Sequence, residues 1–125
     1  MEFPAKYLGP YTIVEPCGIK SGEVELTLLT NGTIAFAMKA LRSSCPGPYV
    51  AEDGTVRHPK WTSYPRDVVK GTHGNGSFVL EYGPNLRITG TYNAQAMQGR
   101  GAITGDYPVT WEISGTRIPM SQQRQ

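Results

Sequence analysis

The chain has 125 residues and a formal net charge of +2. That length supports one domain with a genuine core, without metal or several disulfides to hold it. So small a charge supplies no overall field for nucleic acid, and no run of about 18 apolar residues exists, so neither a nucleic-acid partner nor a transmembrane helix is expected.

Hydrophobic residues make up 38%, with 15 Gly and 10 Pro. This suits a thin core and many turns, as in a small barrel or sandwich. Met1-Glu2-Phe3-Pro4 has neither a basic nor an apolar leader region, so no signal peptide is expected and the location reads as cytoplasmic. In that setting Cys17 and Cys45, the two cysteines, are expected reduced. They stand just outside the two ends of a hairpin, with enough slack on each side either to meet or to miss. A Cys17–Cys45 disulfide is the alternative, and it would imply export.

In chain order, Met1–Pro10 reads as an extended lead-in, Tyr11–Val14 as a short strand and Glu15–Gly22 as a connection. Glu23–Leu28 alternates polar and apolar residues. Asn31-Gly32 follows, the preferred two-residue type I′ turn, with positive φ at both positions. Thr33–Leu41 returns with Ile34, Phe36, Met38 and Ala40 on one face. Asn31-Gly32-Thr33 and Asn75-Gly76-Ser77 also fit the glycosylation acceptor pattern, but a tight turn explains both without modification. Residues 42–66 carry four prolines and no clean period, yet include Tyr49, Val50, Trp61 and Tyr64. Aromatics in so long a connection point to an ordered flap packed on the body.

From Asp67 the chain reads as a meander of strands over 67–73, 77–82, 86–92, 96–104 and from Val109 onward, with a frayed tail after 119. One pentad recurs at strand ends: Ile88-Thr89-Gly90-Thr91-Tyr92, Ile103-Thr104-Gly105-Asp106-Tyr107 and Ile113-Ser114-Gly115-Thr116-Arg117. The β-branched residue fits the pleat, and the glycine permits a bulge or a close backbone approach. The fold expected is all-β: a single domain over 1–125, an antiparallel up-and-down barrel of about eight strands, with a two-sheet β-sandwich as the alternative.

Eight strands enclose either a filled core or room for one small ligand. The inward set would be Phe78, Leu80, Tyr82, Leu86, Ile88, Tyr92, Val109, Trp111 and Ile113, with Gly90, Gly99 and Gly101 removing volume from the wall. A pocket, where one exists, should open at the end covered by 42–66. Trp61 or Tyr64 would close it, Tyr82, Tyr92 and Trp111 would line it, and Arg66 or Lys70 would pair an anionic group at the mouth. The function expected is a small-molecule binding module for an apolar or aromatic ligand, with an anionic group as an option. One alternative is a small lyase or isomerase using the same cavity, with His58 or His73 as base beside Asp67 or Glu112. Another is a macromolecular interaction protein using the basic-aromatic loop 57–73, where Arg57 and Lys60 alternate with aromatics. Binding is preferred to catalysis, because no nucleophile elbow, phosphate loop or histidine pair at metal spacing is present. No metal and no cofactor are expected, and the sequence leaves the oligomeric state open.

Gly90-Thr91-Tyr92, together with the meander ending in Trp111 and Gly115-Thr116-Arg117, resembles the calycin superfamily of small ligand-binding barrels. The resemblance covers roughly the last 50 residues. It implies a ligand-binding barrel and carries no individual binding residue over to this chain.

Overall fold

Strict alternation of buried and exposed residues is the signature of strands with one wet face. The computed structural model, which describes residues 1–65 and 67–119, has this pattern along most of its length. Its strands are β1 (Ala5–Glu15), β2 (Gly18–Leu28), β3 (Ile34–Ser43), β4 (Trp61–Tyr64), β5 (Val69–Gly74), β6 (Ser77–Tyr82), β7 (Leu86–Tyr92), β8 (Ala96–Ile103) and β9 (Val109–Ile118). They form one curled, barrel-like antiparallel sheet in the order β4-β3-β2-β1-β9-β8-β7-β6-β5. It is one sheet and not a two-sheet sandwich.

The first and last strands are neighbours, with Lys6 opposite Ile118 and Val14 opposite Thr110. The break in the ring therefore falls between β4 and β5. There β3 and β5 meet at one bridge, Thr33 to Thr72, and the His73 amide donates to the Gly32 carbonyl at 2.9 Å. A ring in which every pair is antiparallel needs an even number of strands. β1–β3 and β5–β9 meet that condition with eight. β4 runs in the same direction as β5, so it lies along β3 as an extra piece, from Phe36–Tyr64 to Lys39–Trp61.

The middle of the barrel is filled. Tyr7, Val24, Leu26, Leu28, Phe78, Leu80 and Ile88 are all essentially inaccessible. Two tight approaches set the wall's shape. A side chain on Gly22 would meet Tyr11 Cε2 at 2.7 Å and collide with the Lys39 carbonyl. A side chain on Gly90 would run into the Phe78 ring.

Three local readings change. The connection expected over 15–22 is a two-residue hairpin turn, Pro16-Cys17, between long strands. Pro10 misleads because it sits inside β1, where proline is normally excluded. It is tolerated because the β1–β9 ladder has a gap there, pairing Leu8 with Thr116 and then Tyr11 with Ile113. Gly32 has φ 85°, but Asn31 is not in the left-handed region. Leu29 N–H donates to Thr33 O at 2.9 Å across a three-residue loop, so the turn is the bulged kind with glycine at its last position. The two-residue turn with both φ positive is at Asn75-Gly76, with φ of 54° and 81°. The loop expected over 42–66 holds β4, and its first part is tied to β3 and to itself by backbone hydrogen bonds. Ser43 N–H donates to Gly54 O, Val56 N–H to Leu41 O and Arg57 N–H to Tyr49 O. The tail after 119 lies outside the described residues.

The structure joins Cys17 to Cys45, with S–S 2.01 Å and Cα–Cα 5.1 Å. The pair expected to be reduced is bonded, and its proximity follows from the hairpin that carries it. This ties the β1–β2 turn to the root of the flap.

Candidate functional site

Parity decides which aromatics face in. Trp61 and Tyr64 are three residues apart on β4, so they point to opposite sides of the sheet. Tyr64 goes inward, with its ring 6.0 Å from Phe36 and 5.4 Å from Tyr82. Tyr82 in turn lies 5.8 Å from Trp111. Three of the expected site residues, Tyr64, Tyr82 and Trp111, thus form a continuous aromatic arch at one end of the barrel. Trp61 lies on the outer wall, 40% exposed and opposite Lys39.

The others go elsewhere. Tyr92 pairs with Met97, whereas Trp111 pairs with Gly101, at opposite ends of β8. Tyr92 therefore belongs to a second cluster at the far end, with Phe3 and His73 at 6.4 and 5.9 Å. Lys70 is exposed on β5, opposite Glu81. Arg66 lies outside the described residues.

A concavity of ≈ 270 Å³ opens beside the arch. Its walls are Tyr11, Ile13, Met38, Ala40, Thr62, Tyr64 and Trp111, and the flap contributes His58 and Lys60. Tyr49 holds His58 from the flap side, with ring centroids 5.8 Å apart. This concavity lies at the end that 42–66 covers, and Tyr92 and Trp61 take no part in it; Tyr92 lines a separate concavity at the far end, with Asn93, Met97 and Gln98.

The chemistry of the lining is one-sided. Tyr11 is 4% exposed, and its hydroxyl has no hydrogen-bond partner among the described residues. A buried hydroxyl without a partner costs about 1–3 kcal/mol, so it marks a place where something polar is wanted. Burial raises the Tyr11 hydroxyl above its usual value. Tyr64 is pushed up to about 12, first by burial and then by the neighbouring Tyr82 and Tyr11 hydroxyls. Both stay protonated at neutral pH and can donate. The Trp111 indole and the Lys60 ammonium can only donate. No carboxylate lines the pocket among the described residues.

The histidines are separated. His58 is on the flap. At the far end His73 Nε2 sits 2.7 Å from the Leu29 carbonyl, which can only accept, so Nε2 carries the proton; Nδ1 is 3.4 Å from the Tyr92 hydroxyl. Glu112 is bonded to Arg100 at 3.2 Å on the outer wall. No carboxylate pairs with either histidine among the described residues. Glu15, Cys17 and Cys45 lie together near the flap root, but there the sulfurs bond each other and the carboxylate pairs with Lys20 at 2.9 Å.

Tyr11 and Met38 were not among the expected site residues. The signal for Tyr11 is the run Tyr7-Gly9-Tyr11-Ile13 at period two, which Pro10 obscures. Compared with protein families, curated proteins and solved structures, the chain matches none.

Proposed function

We propose that this chain is a small-molecule binding protein whose site is the flap-covered mouth beside Trp111 and Tyr64. The observation that carries the reading is the Tyr11 hydroxyl, buried in an aromatic-walled pocket and without a partner among the described residues. Supporting it, the apolar surface of Ile13, Met38 and Trp111 would take a ring, and the flap would supply closure. At ≈ 270 Å³ the pocket is just below the range of roughly 300–1,000 Å³ typical for drug-sized ligands, so the ligand is small. His58 at the rim is the side chain that a lyase or isomerase using this pocket would need.

The bonded Cys17–Cys45 pair favours an oxidising compartment, and we propose that the protein works outside the reducing cytosol.

Fluorescence tests the site. Trp61→Phe leaves Trp111 as the sole tryptophan. Small aromatic ligands should quench it saturably, and Trp111→Phe should remove the response. Quenching that survives in Trp111→Phe and disappears in Trp61→Phe would move the site to the outer wall.

A further inference from the structure

The mouth pocket offers donors at two levels and, among the described residues, no carboxylate to meet them. At the rim, the Lys60 ammonium and His58 project from the flap, and neither is in an ion pair among the described residues. At the floor, the Tyr11 hydroxyl is buried and has no partner among the described residues. Between them lie the faces of Trp111 and Tyr64, with Met38 opposite. A cation that is not paired by the protein favours an anionic partner, and a buried hydroxyl favours an oxygen within reach.

Building on the binding site proposed above, we infer that the ligand is a small planar aromatic acid with a second oxygen at the far end of its ring. The carboxylate sits with Lys60 and His58, the ring lies against Trp111 and Tyr64, and the distal oxygen accepts a hydrogen bond from Tyr11. Both ends of the molecule are read by donors, so a neutral or amine-bearing aromatic of the same shape is rejected. An amine would place a cation beside Lys60. A ring without the distal oxygen would leave Tyr11 unpaired.

The test uses three probes of nearly one shape: 4-hydroxybenzoate, benzoate and 4-hydroxybenzamide. Each is titrated calorimetrically into the whole chain and into Tyr11→Phe and Lys60→Gln, with circular dichroism to verify that both variants fold. 4-Hydroxybenzoate is expected to bind about tenfold more tightly than benzoate, the worth of roughly one hydrogen bond. Tyr11→Phe should erase that difference. The acid should bind about tenfold more tightly than the amide, and Lys60→Gln should erase that difference in turn. If the amide binds as tightly as the acid and Trp111 still reports it, the inference fails while the site stands. If none of the three binds, both fall.

Discussion

The Phe78 ring occupies the space that a side chain on Gly90 would need, and it also covers Gly99, where an added Cβ would come within 2.8 Å of Phe78 Cζ. These residues lie in one inward row across the sheet, Phe78 opposite Gly90 and Gly90 opposite Gly99. One aromatic thus serves as the side chain for two bare positions. The two glycines differ in what else they meet. At Gly99 the nearest obstacle is the ring itself. At Gly90 the Gln98 carbonyl obstructs as well. Gly99→Ala should cost about 1–3 kcal/mol through overpacking, and adding Phe78→Leu should recover part of that cost. Gly90→Ala should not be rescued by Phe78→Leu, because backbone cannot be trimmed. Urea unfolding of the four variants measures this, and equal rescue at both positions would refute the assignment.

Gly32 and Asn75 both have positive φ, whereas Asn31, expected to share it, does not. Gly32→Val should destabilise by more than about 1 kcal/mol, since φ 85° strains a β-branched residue. Asn75→Gly should be neutral or mildly stabilising, because φ 54° already suits glycine. Asn31→Gly should instead lose stability. It frees the chain at a position outside the left-handed region and removes the Oδ1 acceptor for Thr33 N–H, 3.1 Å away. Thermal melts of the three variants give the order directly.

The Cys17–Cys45 bridge spans a sequence separation of 28. On the chain-entropy view, losing a bridge of that span costs about 3–4 kcal/mol. Intact mass of unreduced protein should be two hydrogens lighter than after reduction. Reductant, or Cys17→Ser with Cys45→Ser, should lower the melting temperature. Free thiols in protein purified without reductant would return the cysteines to the cytosolic expectation.

The raised Tyr64 ionisation makes a statement about alkaline stability. In the unfolded chain this phenol loses its proton near pH 10, and in the fold near 12. A folded value above the unfolded one means that the contribution is complete below pH 10 and is lost as pH rises from 10 to 12. Tyr64→Phe should therefore flatten the decline in stability across that window and remove one late-ionising tyrosine from the phenolate absorbance titration. An unchanged slope would assign the decline to other groups.

The five strands from β5 to β9 were legible because each alternates cleanly and is bounded by Asn-Gly, Gly-Pro-Asn or a similar turn. Phe78, Leu80, Leu86 and Ile88 face inward as their spacing requires. β1 was legible only in its second half. Pro10 reads as a strand breaker until the gap in the ladder to β9 is known, and that gap depends on a partner about 100 residues away. The site inherits both outcomes. Trp111 and Tyr82 stand on the legible strands, whereas Tyr11 depends on β1 being continuous. Alternation groups Tyr92 with Trp111, because both face inward. Which end of a barrel a residue occupies follows from inter-strand register, which alternation along one strand does not contain.

β4 also has a bearing on how the molecule behaves in company. A curled sheet whose flanks meet at a single bridge leaves most of the outer edge of β3 with unsatisfied amides and carbonyls, a template onto which another chain could add a strand. The four residues of β4 occupy the middle of that edge, from Phe36 to Lys39, and the flap residues Gly54 and Val56 take the groups at Ser43 and Leu41. The segment that closes over the proposed ligand therefore also acts as a guard against self-association. A chain whose flap is clipped by protease should lose solubility as well as its pocket.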